Sequence, residues 1–144
     1  MRSVNKSALV PYSAADMYAL VNAVERYPEF LPWCRSSRIL SREPAAMRAS
    51  LELARGGFHK TFTTHNQLEP GRAITITLVD GPFRHLEGRW QFQDLDHEGS
   101  KVSLDMEFEF AGKLLDIMAG PVFHEICNSL VDAFIRRAAD LHAR

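Results

Sequence analysis

The sequence has little cysteine. Cys34 and Cys127 are the two in 144 residues, far apart, and neither has a CxxC partner. That excludes a disulfide-stapled secreted scaffold and a cysteine zinc ribbon, and two reduced, buried thiols are expected. Long apolar runs are missing as well. No stretch reaches the roughly 18 apolar residues that a membrane-spanning helix needs, and residues 1–7 form no apolar signal segment. A cytoplasmic protein is expected, with a peripheral position at the inner membrane as a variant of that expectation. Nor is one sign of charge in excess: 17 Lys+Arg stand against 18 Asp+Glu, for a net charge of −1 at pH 7. A chain that wraps duplex DNA is usually basic, because neutralising phosphates supplies most of its affinity, so no specific DNA binding is expected.

The motifs of catalysis are also missing. There is no GxGxxG, no Walker loop and no GxSxG. His124-Glu125-Ile126-Cys127-Asn128 departs from HExxH at its second ligand, and His59 and His65 are too far apart along one strand to reach a single ion. No metal, no resident cofactor and no catalytic residue are expected. Asn66, Thr64, Arg38 and Asn128 are the polar residues whose direction the pattern leaves open.

What is present is ordinary globular composition, 46% hydrophobic and 24% charged, on a chain the length of one domain, residues 1–144. Ser3 to Val10 alternates as a strand. Ser13 stands as a helix N-cap with Asp16 three residues on, and Met17, Leu20, Val21 and Val24 recur at helical spacing, so a helix is expected over 14–24. Pro28 and Pro32 make residues 27–34 compact and irregular. Residues 34–110 read as strands and turns: 47–54, 58–68, 73–79 and 83–94, with Glu69-Pro70-Gly71 suited to a type II turn and a hairpin loop at 97–100. Val102, Leu104, Met106, Phe108 and Phe110 then alternate with polar residues, the pattern of an antiparallel strand with one wet face. After Gly112 the period becomes helical: Leu115, Met118 and Val122 precede a stripe of Phe123, Cys127, Leu130, Phe134, Ala138 and Leu141, and Pro121 is expected to restart or kink the helix, whose main length runs from Pro121 to His142. The fold class expected is α+β, a curved antiparallel sheet gripping one long C-terminal helix. Gly88 sits on the inward parity of its strand with Leu86 and Trp90, where a missing side chain suits a bend or a cavity.

Three stretches carry a resemblance. Tyr27-Pro28-Glu29-Phe30-Leu31-Pro32-Trp33-Cys34, then Gly81 to Trp90 (GPFRHLEGRW), and Phe108-Glu109-Phe110 with Gly120-Pro121-Val122-Phe123 together resemble the coenzyme Q-binding, START-like proteins of the polyketide cyclase/dehydrase superfamily. The bacterial branch of that group includes the ribosome-association toxin. The resemblance implies a helix-grip fold and a hydrophobic tunnel between sheet and C-terminal helix. It implies a ligand such as ubiquinone or a related polyprenyl lipid, held without chemistry in support of respiration. The residues expected to line the tunnel are Trp33, Leu86, Gly88, Trp90 and Met106, with Phe108, Phe123, Cys127 and Leu130. Core packing is the first role expected of Leu130 and Phe134. Trp33 and Tyr27, in their Pro-bounded loop, suit either a lid or an anchor at a membrane interface.

Two alternatives stay open beside the quinone reading: binding to the large ribosomal subunit that blocks subunit joining, and a cyclase or aromatase. Arg35, Arg38, Arg42, Arg48, Arg55 and Lys60 stand against only Glu43 and Glu52 in one stretch. That excess reads first as a solvated sheet face balanced by an acidic strand at 103–109 beside it, and second as a contact for anionic lipid or ribosomal RNA.

Overall fold

The computed structural model describes residues 1–96 and 98–142. Its elements are β1 (Arg2–Val10), α1 (Ala14–Asn22), a 3-10 helix (Val24–Glu29), β2 (Cys34–Glu43), β3 (Ala46–Arg55), β4 (Phe58–Glu69), β5 (Ala73–Asp80), β6 (Phe83–Asp94), β7 (Ser100–Phe110) and α2 (Lys113–His142). The seven strands form one antiparallel sheet in the order β1-β7-β6-β5-β4-β3-β2. The fold is the α+β helix grip that the alternation and the final stripe predict.

Local chemistry explains most boundaries. The Ser13 hydroxyl accepts from the Asp16 N–H at 3.1 Å and starts α1. That helix stops at Asn22, earlier than its apolar spacing suggests, and a 3-10 turn carries Pro28. At the Glu69–Arg72 turn Gly71 has φ +75°, a conformation that disfavours a side chain, and the Arg72 N–H closes on the Glu69 carbonyl at 2.9 Å. The expected loop at 97–100 includes His97, which lies outside the described residues.

Two expectations need correction here. First, α2 runs through Pro121 as one helix of 30 residues from Lys113, about 45 Å at 1.5 Å per residue, longer than the expected Pro121–His142 span. Its first turns are fastened to the sheet through Asp116, whose carboxylate accepts from the Phe110 N–H at 2.9 Å. Arg2 crosses the same turns, donating to the Asp116 carbonyl at 3.1 Å, and its guanidinium fills the space a Gly120 side chain would need. Second, the acidic strand is not beside the basic one: β6, β5 and β4 lie between β7 and β3. The positive and negative charges therefore sit on opposite halves of the sheet.

The inner face is apolar in rows set by register. One row runs Val4–Met106–Gly88–Ile76–Asn66–Met47, one residue from each of six strands. The α2 helix lies against β1 and β7, α1 against β6 and β7, and the 3-10 helix against β2. The inner faces of β3, β4 and β5 are thus left with the least direct cover.

Candidate functional site

A cavity occupies that uncovered part of the sheet and encloses about 80 Å³. Its floor is Ala49, Leu51 and Leu53 of β3, Phe62, Thr64 and Asn66 of β4, Ile76 of β5, Leu86 and Trp90 of β6, and Met106 of β7. Its roof is Phe123, Ile126, Cys127, Leu130 and Phe134 of α2, and Val24, Tyr27 and Trp33 close one end. Of the residues expected to line a tunnel, Trp33, Leu86, Trp90, Met106, Phe123, Cys127 and Leu130 are brought together here.

Gly88 and Phe108 are not. They share the inward parity, but the position of α2 decides where open space remains. Phe108, 0% exposed, packs edge-on to Phe123 with centroids 4.7 Å apart. Gly88 leaves room that Met106 already fills, since a Cβ there would come 2.6 Å from the Met106 sulfur. Phe123 plays both parts. One side of its ring meets Phe62, Phe83, Phe108 and Phe110, and another borders the cavity.

The end wall is packed inward against α2. Trp33 is buried, and the Tyr27 hydroxyl donates to the Val21 carbonyl. Phe30 and Tyr27 both stack edge-on to Phe134, and Glu29 pairs with Arg137 at 2.7 Å, tying the 3-10 segment to α2. The large apolar side chains turned outward are elsewhere, with Leu114, Ile117 and Met118 on the first turns of α2.

Among the described residues no Asp, Glu, Lys, Arg or His lines the cavity. Burial holds the Tyr27 phenol and the Cys127 thiol protonated, each well above its ordinary range. Thr64 and Asn66 are 6% and 7% exposed, and the Thr64 hydroxyl donates to the Asn66 side-chain carbonyl at 2.9 Å. Of the four polar residues left open by sequence, these two face inward, whereas Arg38 and Asn128 are exposed.

On the outer face Arg38 and Arg48 are exposed and make no ion pair among the described residues, whereas Arg42 pairs with Glu25 at 3.1 Å and Arg55 with Glu125 at 3.0 Å. On the opposite half His85, Glu87 and Glu107 bring their ligand atoms within 4.8 Å of one another, a grouping that strand parity alone does not reveal.

The family described as polyketide cyclase/dehydrase and lipid transport matches residues 10–135. The chain belongs to that family. Within it, the chain is 48% identical over 142 residues to the ribosome association toxin RatA of Vibrio cholerae, with 99% of each chain covered. It is 27% identical to the mitochondrial coenzyme Q-binding protein coq10 of Schizosaccharomyces pombe, with 94% of this chain and 86% of that one covered. Among solved structures of this fold, the Zhui aromatase/cyclase of Streptomyces sp. R1128 superposes with a TM-score of 0.84 at 21% identity, over 99% of this chain and 96% of that one. The last likeness concerns the fold alone.

Proposed function

We propose that this protein associates with the ribosome, meeting the large subunit through the outer face of β2 and β3 and hindering subunit joining. The observation that carries this reading is the 48% identity over nearly the whole chain to a protein named for ribosome association, against 27% to the coenzyme Q-binding relative. The geometry adds a surface of suitable chemistry. Arg38 and Arg48 project without ion-pair partners from a sheet half that the acidic strand does not reach, and rRNA phosphate is the complementary charge. A ribosome partner places the protein in the cytoplasm. The test is sedimentation with purified 50S and 30S subunits at rising salt. Co-sedimentation with 50S that weakens with salt supports the reading, and no co-sedimentation at low salt refutes it.

A second reading, that the protein holds a hydrophobic ligand such as ubiquinone or a related polyprenyl lipid, is favoured by the apolar cavity. Each buried methylene contributes about 0.8 kcal/mol, so one or two isoprene units give usable affinity. At about 80 Å³ the cavity is smaller than the roughly 150 Å³ that holds a benzene in an engineered apolar site. A full polyprenyl chain therefore needs the gap between α2 and the sheet to widen. Organic extraction followed by mass spectrometry tests this reading, and lipid-free protein after incubation with excess quinone refutes it. The two readings use different surfaces, outside and inside, and are compatible. Both are readings of binding without catalysis, supported by a lining that holds no carboxylate, lysine, arginine or histidine among the described residues.

A further inference from the structure

We infer that Asn66 is the polar anchor of the cavity and selects a neutral, ring-bearing ligand with a carbonyl or similar hydrogen-bond acceptor. This rests on the second reading above, that the cavity takes a hydrophobic ligand, and adds its chemical class. Asn66 lies in the middle of the inner face, beside Met47 of β3 and Ile76 of β5. It is 7% exposed and borders the cavity. Its carbonyl oxygen already accepts the proton of Thr64, so the amide NH₂ is left as donor, with no partner among the described residues. An amide donor on the wall of a mostly apolar cavity gains from a ligand acceptor placed there. With the Thr64 hydroxyl donating to the Asn66 carbonyl, the NH₂ is the end of the amide left for a ligand.

The rest of the lining narrows the class. With no charged side chain among the described residues of the lining, an ionic ligand would lose its hydration without compensation. The Tyr27 hydroxyl is spent on the Val21 carbonyl, and its ring, with Trp33, Trp90 and Phe134, offers aromatic faces to a planar group. Tyr27, Leu51, Ile76 and Leu130 are the half-buried members of the wall.

The probes are acetophenone and α-methylstyrene, planar molecules of nearly the same shape that differ in C=O against C=CH₂. Binding is read by ligand-observed NMR on the full chain. The wild-type protein should prefer acetophenone by roughly tenfold, the ratio one buried hydrogen bond supports. Asn66→Leu should abolish the preference while still binding α-methylstyrene, and Thr64→Val should reduce it by freeing the amide to turn. Equal affinity of the wild-type protein for the two probes overturns the inference and leaves the ligand reading standing. A preference that survives Asn66→Leu combined with Thr64→Val, which removes the hydroxyl that the first change would free, also overturns it. If neither probe binds, the ligand reading itself fails. The wild-type comparison decides the matter even if the Asn66 variant does not fold.

Discussion

Gly88 and Met106 face each other across the β6–β7 register, and the missing side chain of the one is the space occupied by the thioether of the other. The relationship is directional. A Cβ at Gly88 would stand 2.6 Å from the Met106 sulfur and 2.9 Å from its methyl, both at the far end of a flexible chain. Met106 also lines the cavity, so displacing it narrows that space. Gly88→Ala should therefore change stability by no more than about 1–2 kcal/mol, while α-methylstyrene binding falls several-fold. Urea melts and ligand-observed NMR on the same sample check both halves. Unchanged binding would show that Met106 relaxes away from the cavity.

The contrast between Gly88 and Asn66 shows how far the sequence reaches. The period of two along β7 correctly predicts the burial of Val102, Leu104, Met106, Phe108 and Phe110, and Phe123, Cys127, Phe134 and Ala138 of the helical stripe are buried as expected. Such parity tells which face a residue takes. It does not tell where α2 rests on that face, so it cannot separate Phe108, under the helix, from Leu86, under the cavity. β2 is hidden for another reason. It is an edge strand with bulges between Cys34 and Ser36 and between Ile39 and Ser41, and each bulge resets the alternation. The early start of α2 is obscured because Leu114, Ile117 and Met118 face outward, so the first turns bear no buried stripe, and because Pro121 reads as a boundary.

Phe123→Ala should cost about 3–5 kcal/mol in urea melts, the usual cost of deleting a close-packed aromatic. Its ring is 3% exposed and has centroids within 4.7–6.0 Å of those of Phe108, Phe83, Phe110 and Phe62. A loss of only about 1–2 kcal/mol would mean that the cavity side of the ring dominates its environment.

Charge reversal should separate the basic residues. Arg38→Glu with Arg48→Glu should weaken co-sedimentation with 50S subunits at low salt, and the difference from wild type should shrink as salt rises. Arg42→Glu should do less, because Arg42 is already engaged by Glu25. Both proteins should melt within about 0.5 kcal/mol of wild type, as exposed substitutions usually do. Equal effects from all three positions would show that net charge matters and the outer face of β2 and β3 does not.

The thiols predict a pH dependence. Burial, with a smaller push from the Glu52 charge, raises Cys34 from 9.0 to about 11, and burial raises Cys127 further. A raised thiol stabilises the fold while it stays protonated in both states, below its unfolded value. As pH rises from 9 toward 11 the unfolded chain ionises first, and that contribution is lost. Stability to urea should therefore fall across this window, and Cys34→Ala should flatten part of the fall. At neutral pH, Ellman's reagent should label the native protein slowly and the urea-unfolded protein quickly. Rapid labelling of both thiols in the native state would contradict their burial.

The ribosome reading is tested most directly by the distribution of ribosomal particles when the protein is overexpressed in a bacterial host. Sucrose gradients of the lysate should show 70S particles depleted, free 50S and 30S accumulated, and the protein migrating with the 50S peak. The Arg38→Glu, Arg48→Glu protein, expressed to the same level, should restore 70S in proportion to its lost affinity. An unchanged 70S peak, with the wild-type protein remaining at the top of the gradient at low salt, would contradict the account.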